Sequence, residues 1–307
     1  MTRNDWLLLT LLGAIWGASF VFIGVAAPSF GAFPLVAARV LIASAVLIVY
    51  GLVTRQQFIA ALFRHWKLFF LLGIVNSAIP FTLITTAELE LPPAMAAILN
   101  AVTPFCSAIV AAVWLGVPFT LRKVAGTLLG LVGVAFVVGL SPVPLTTPVI
   151  LAILMMLGAS MAYGTGANMA KTLFTGVTPL TLAIGQQLTA GIVLLPFAIL
   201  NPPQGELPLN AVLSVLALAV LSTAVAYLIS FNLLARIGAT NMTTVTLLVP
   251  FFSVLWQTIF LQDPLGIGPI IGLLIIVVSL LLITGSKIPV IETWLMRRRQ
   301  VGTAAGD

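Results

Sequence analysis

Apolar positions in this chain neither alternate with polar ones nor form helical stripes; they run almost unbroken over stretches long enough to cross a bilayer and stop at short polar connections. Such runs predict helices that are apolar all round, which is the pattern of membrane spans. Ten are legible: Trp6 to Ala26, Phe33 to Val53, Lys67 to Ala87, Ala94 to Trp114 and Val124 to Leu140, then Val149 to Ala170, Leu180 to Leu200, Leu209 to Phe231, Asn241 to Leu261 and Gly266 to Ser286. A Pro-rich stretch, 141–148, separates the two sets of five. The short alternating segments of a membrane barrel are absent, so the expected class is all-α integral membrane. Val25-Ala26-Ala27 resembles a signal-cleavage site, but the apolar run before it is too long, and an uncleaved helix is expected.

Composition makes the bilayer obligatory. Of 307 residues 61% are hydrophobic and 7% charged, whereas a soluble domain carries roughly 25% charged residues. Ten spans of about 20 residues use about 200 residues and leave short connections, too little for a folded extramembrane domain. Thirteen basic residues exceed seven acidic ones. In a membrane protein that excess marks topology, and nucleic acid is not an expected partner. With the N-terminus in the cytoplasm, Arg3, Arg55, Arg64, Lys67, Arg122, Lys123, Lys171, Arg236, Lys287 and Arg297 to Arg299 all fall inside. Glu88, Glu90, Glu206 and Asp263 fall outside, and both termini are cytoplasmic. Trp6, Trp66, Trp114 and Trp294 then lie near the cytoplasmic interface.

Sliding the chain against itself by a little under half its length brings Thr103-Pro104-Phe105 onto Val249-Pro250-Phe251, Leu115 onto Leu261, Pro118 onto Pro264 and Phe81 onto Tyr227. With a one-residue slip, Trp16-Gly17 meets Tyr163-Gly164 and Leu41 meets Leu188. The expected organisation is two five-helix repeats, 1–140 and 149–286, followed by a cytoplasmic basic tail at 287–307. An odd number of spans per repeat inverts the second copy, and the aligned pair Glu90 and Arg236 accordingly changes both side and sign. Inverted repeats with a midplane site between them are an architecture of secondary transporters.

The same residues carry a resemblance. Gly13-Ala14-x-Trp16-Gly17-x-Ser19, Arg39, Thr103-Pro104, Leu115-Gly116-x-Pro118-x-Thr120 and Gly126, with the echo Val249-Pro250, Leu261-x-Asp263-Pro264 and Gly272, are similar to the EamA-type branch of the drug/metabolite transporter superfamily. The resemblance spans nearly the whole chain. It implies a ten-helix bundle of two inverted repeats that moves amino acids or related small metabolites, commonly outward, across a bacterial inner membrane, without a cofactor. Where the family carries an acid after each Leu-Gly, this chain keeps Asp263 but has Val117 in the first half.

Polar groups at membrane depth are the natural site candidates. Arg39 lies about 9 Å below the outer end of its helix. Its guanidinium could anchor a substrate carboxylate, or could snorkel outward or pair with Glu88 or Glu90. Ser19, Asn76, Asn100, Asn168 and Gln186 could bind substrate or join helices, as could Gln187 and Gln257. Trp16, Phe81, Tyr163 and Tyr227, with Pro80 beside Phe81, would wall a pocket suited to apolar or aromatic side chains. Pro104 and Pro250 are expected kinks or hinges, and Gly13-x3-Gly17, Gly126-x3-Gly130 and Gly268-x3-Gly272 are expected packing faces. His65 is the only histidine, Cys106 the only cysteine, and no span holds an acid pair, so neither a metal site nor enzymatic chemistry is expected. The leading expectation is an exporter or facilitator of amino acids, with aromatic or other neutral ones as candidates, or of related small metabolites, acting as a monomer by alternating access; the alternative is a proton-coupled drug or metabolite antiporter, for which Glu88 is the available titrating group.

Overall fold

A computed structural model describes residues 2–284 other than 119, 141–142, 204, 243 and 264–265. The expected tail at 287–307, with Trp294 and Arg297 to Arg299, and Pro264 lie outside the described residues. Every regular element among the described residues is helical: α1 (Arg3–Phe30), α2 (Ala32–Val53), α3 (Ile59–Arg64), α4 (Trp66–Gly73), α5 (Ile79–Ala87), α6 (Pro93–Asn100), α7 (Thr103–Leu115), α8 (Leu121–Gly139), α9 (Thr147–Leu173), α10 (Pro179–Leu200), α11 (Leu209–Ala219), α12 (Ala226–Met242), α13 (Val245–Trp256) and α14 (Ile267–Thr284). Three π-helices, Ile74–Ala78, Val220–Val225 and Gln257–Leu261, join or extend neighbouring α-helices. Eight of the resulting spans are long and apolar enough to cross a membrane, and Val245–Leu261 and Ile267–Leu282 are shorter apolar helices.

Local chemistry sets where the helices stop and bend. Thr2 caps α1 and exchanges hydrogen bonds with Asp5, a capping box. The helix then runs through Pro28, beyond the expected end at Ala26, and stops at Gly31, whose φ of 72° an L side chain rarely adopts. The expected fourth span is two helices, because the chain turns at Ala101–Val102 and Pro104 enters the first turn of α7, where its missing N–H costs nothing. Pro250 instead stays inside α13.

Small residues let the helices close on each other. Gly13 and Gly17 lie against α13, where a Cβ at Gly17 would come within 2.8 Å of the Val249 carbonyl. On the other flank, Gly133 of α8 and Gly272 of α14 meet backbone to backbone, while Gly268 faces Leu140. Gly130 receives the Phe105 ring and the Gly126 carbonyl accepts from the Ser279 hydroxyl. These are contacts of the expected packing faces. The apolar core between them includes Phe20, Leu35, Val40, Met95, Leu99 and Met156.

Candidate functional site

Within the bundle lies a cavity of about 330 Å³ walled by residues from both halves of the chain. Of the residues singled out from sequence, Trp16, Ser19, Arg39 and Asn76 line it from the first half, together with Phe81 and Asn100. Tyr163, Tyr227 and Pro250 line it from the second half. Both members of the aligned aromatic pairs Trp16 with Tyr163 and Phe81 with Tyr227 therefore face one space. Among the wall residues only Ala167 is exposed; with Val245 and Thr246 it marks the end where α9 finishes and α13 begins.

Arg39 is 5% exposed. Its Nε donates to the Thr223 hydroxyl at 3.0 Å, and its guanidinium lies 3.9 Å from the Phe81 ring centroid. A buried cation is costly, and the ring face and hydroxyl offset part of that cost. Among the described residues the single ion pair joins Asp5 to Arg236 at 2.7 Å, so neither Glu88 nor Glu90 closes on Arg39 as a salt bridge. Nε is committed to the protein, while the Nη edge of a cavity-lining guanidinium is the part available to an anion.

The residue that receives Arg39 belongs to a feature that sequence reasoning missed. Thr223 and Ser222 lie in the π-helix Val220–Val225, and Asn76 and Ser77 lie at the corresponding place of the first repeat, in the π-helix Ile74–Ala78. A π-turn widens the helix and disturbs its carbonyl ladder, and such turns often occur at functional sites. Here the Thr223 hydroxyl donates to the Leu218 carbonyl at 2.8 Å while accepting from Arg39. At the first π-turn, Pro80 follows closely and lacks the N–H that an α-helix would offer to the Asn76 carbonyl. The available signal was the repeat offset itself, which carries Asn76 onto Ser222 and Ser77 onto Thr223.

Gln186 stands where the slipped repeat offset carries Arg39, and takes the corresponding part. Asn76 Nδ2 donates to Gln186 Oε1 at 2.9 Å, and Gln186 Nε2 donates to the Tyr227 hydroxyl at 2.9 Å. At 3% exposure Gln186 stands behind the wall and orients two residues that form it. Asn168 does not reach the cavity, because its amide donates to Ser107 of α7 and to the Gly164 carbonyl. Pro80, too, is buried away from the lining. Pro104 is likewise outside the wall, whereas its neighbour Thr103 is in it.

Gln257 makes two contacts that lie outside the cavity wall. Gln257 Oε1 accepts from the Ala94 N–H, one of the free donors at the start of α6, at 2.7 Å. Its Nε2 donates to the Asp263 backbone carbonyl and carboxylate at 3.0 and 3.1 Å. Gln257 and Asp263 thus tie helix ends together and stand outside the cavity wall.

The sequence profile described as the EamA-like transporter family matches residues 5–139 and again 150–285. The chain is 25% identical over 288 residues to an uncharacterized transporter, YvbV, of Bacillus subtilis (strain 168), covering 92% of each protein. It is 25% identical over 221 residues to protein PecM of Dickeya dadantii (strain 3937), covering 71% of this chain and 73% of PecM. A solved crystal structure shares its fold, with a TM-score of 0.67 at 18% identity over 92% of this chain and 96% of the other.

Proposed function

The chain belongs to the EamA-like transporter family of integral membrane proteins, and on that footing we propose that it moves neutral amino acids, aromatic ones among them, by alternating access at the cavity between its two halves. The observation that carries this reading is the Arg39 guanidinium, buried in the cavity wall with Nε held by Thr223 and its Nη edge left for a carboxylate. Asn76, Asn100 and the tyrosine hydroxyls supply hydrogen-bonding groups for an ammonium, and Trp16, Phe20 and Phe81 supply a wall for an apolar side chain.

The proposed architecture is ten spans in two inverted repeats, with both termini cytoplasmic, in a bacterial inner membrane. The distribution of basic residues supports that orientation. On that orientation Ala167 lies on the cytoplasmic side of the cavity wall and the Gln257 contact with α6 on the outer side. The test is a proteoliposome flux screen over the amino acids with purified protein, with and without a pH gradient. Uptake of neutral amino acids, strongest for apolar and aromatic ones, is the expected result; failure to move any of them overturns the substrate class.

A further inference from the structure

Charge in the cavity wall is one-sided. Among the described residues that form the wall, Arg39 is the single charged group and none is acidic; Glu88, 7% exposed, lies outside the wall. The guanidinium is held by the Thr223 hydroxyl and the Phe81 ring, both neutral, so its charge meets no anion in these contacts. The other polar wall residues are serines, threonines, asparagines and tyrosines, and several are already engaged. Ser19 donates to the Trp16 carbonyl at 2.6 Å and Ser222 to the Ile15 carbonyl at 3.2 Å. The Thr103 hydroxyl donates to the Asn100 backbone carbonyl at 2.7 Å and reaches the Asn100 Oδ1 at 3.4 Å. One face of the Phe81 ring, a place for a second cation, is taken by Arg39.

Resting on the carboxylate-anchor part of the reading above, we propose that the cavity selects monocarboxylates with an apolar or aromatic body and no ammonium group, and binds them more tightly than the amino acids of the same side chain. A carboxylate on Arg39 turns a buried cation into a neutral pair, so the ligand relieves the charge that the empty cavity carries. A zwitterion brings the same carboxylate together with an ammonium, which must leave water and settle within a few ångströms of the guanidinium. Nothing of opposite charge in the wall receives it, and neutral oxygens return only part of its hydration. Like charges about 7 Å apart in a protein interior repel by enough to outweigh one such hydrogen bond, and the expected margin is about 10-fold in Kd. Trp16, Phe20 and Ile23 receive the apolar body in either case. An amine without a carboxylate has the charge of Arg39 against it throughout.

Four ligands of similar shape separate the charges: L-phenylalanine; 3-phenylpropanoate, which lacks the ammonium; phenethylamine, which lacks the carboxylate; and 3-phenylpropanamide, which carries no charge. Each is titrated calorimetrically into purified wild-type protein in detergent at neutral pH, with detergent alone as the blank. 3-Phenylpropanoate is expected to bind about 10-fold more tightly than L-phenylalanine and to outbind the amide and the amine. Binding of 3-phenylpropanoate without binding of L-phenylalanine supports the proposal and removes the amino-acid reading. L-Phenylalanine or phenethylamine binding at least as tightly as 3-phenylpropanoate, with an ammonium held on the Trp16 or Tyr163 ring, overturns the proposal; in the first case the amino-acid reading stands. An amide equal to 3-phenylpropanoate, or no binding by any of the four, overturns the carboxylate anchor and the proposal with it. In Arg39→Gln the preference for 3-phenylpropanoate over the amide should vanish, and its survival there overturns Arg39 as the source of the selection.

Discussion

Arg39 illustrates how one side chain divides its work. Its Nε is bound to Thr223 and its flat face to Phe81, which hold the guanidinium plane, and the side chain lines the cavity. Arg39→Gln should lower amino-acid flux about 10- to 100-fold, the worth of one charge-assisted hydrogen bond. Arg39→Lys should restore little, because an ammonium cannot meet a carboxylate with two parallel donors. Initial-rate flux in reconstituted, monodisperse protein measures both, and undiminished flux in Arg39→Gln would leave the residue purely structural. A second residue-scale consequence concerns a pair of turns. Gly116 ends α7 in the left-handed region at φ 64°, and at the equivalent place of the second repeat Gln262 ends the span of α13 at φ 54°. A side chain there costs roughly 1–2 kcal/mol, so Gln262→Gly should raise the thermal unfolding midpoint in detergent. A lower midpoint would show that the Gln262 side chain contributes more than its backbone strain costs.

At the scale of elements, α8 and α14 form a pair whose closeness depends on glycine. A Cβ at Gly133 would meet Ile276 Cγ1 at 2.7 Å and the Gly272 carbonyl at 3.0 Å. Gly133→Leu should destabilise the protein by about 1–3 kcal/mol through overpacking, whereas Gly139→Leu, with no neighbouring atom within 4 Å, should be nearly neutral. Thermal unfolding of the two variants side by side makes the comparison, and equal behaviour would contradict close packing of this pair. Gly268 and Gly272 were legible as a packing face because a glycine every fourth residue is a pattern in the sequence itself, whereas Gly133, the partner of Gly272, lies outside the expected Gly126-x3-Gly130 spacing. The π-helices were not legible, since they depend on how a neighbouring helix occupies the widened turn. Pro80 explains some of the first, but Ala226 occupies its place after the second.

For the whole molecule, the contacts of Gln257 tie different spans together. Gln257 is 1% exposed and commits both ends of its amide, one to α6 and the other to the loop at Asp263. Gln257→Ala would leave the Ala94 N–H without a partner, at a cost of about 1–3 kcal/mol, and should shift the population toward an outward-open state. A cysteine at buried Ala97 in the cavity wall, in a Cys106→Ser background, should then react faster with a membrane-impermeant maleimide added outside. Unchanged labelling would mean that this contact stabilises α6 without gating the cavity.

Solvent, secondary structure and family were all legible in the order of the residues. Run length and charge scarcity need no knowledge of neighbours, and they demand apolar helices whatever packs beside them. The same order placed Trp16, Arg39, Asn76, Phe81, Asn100, Tyr163 and Tyr227 among the site candidates, because polar or aromatic groups deep in apolar runs need a reason to be there. Which of them share one wall depended on helix packing. Asn168 and Gln186 have the same chemistry as Asn76, yet Ser107 takes the first and Tyr227 and Asn76 take the second. Burial of Glu88, one residue from an exposed turn, was equally beyond the sequence, because whether an acid at a helix end meets water or another helix depends on α1 packing over it.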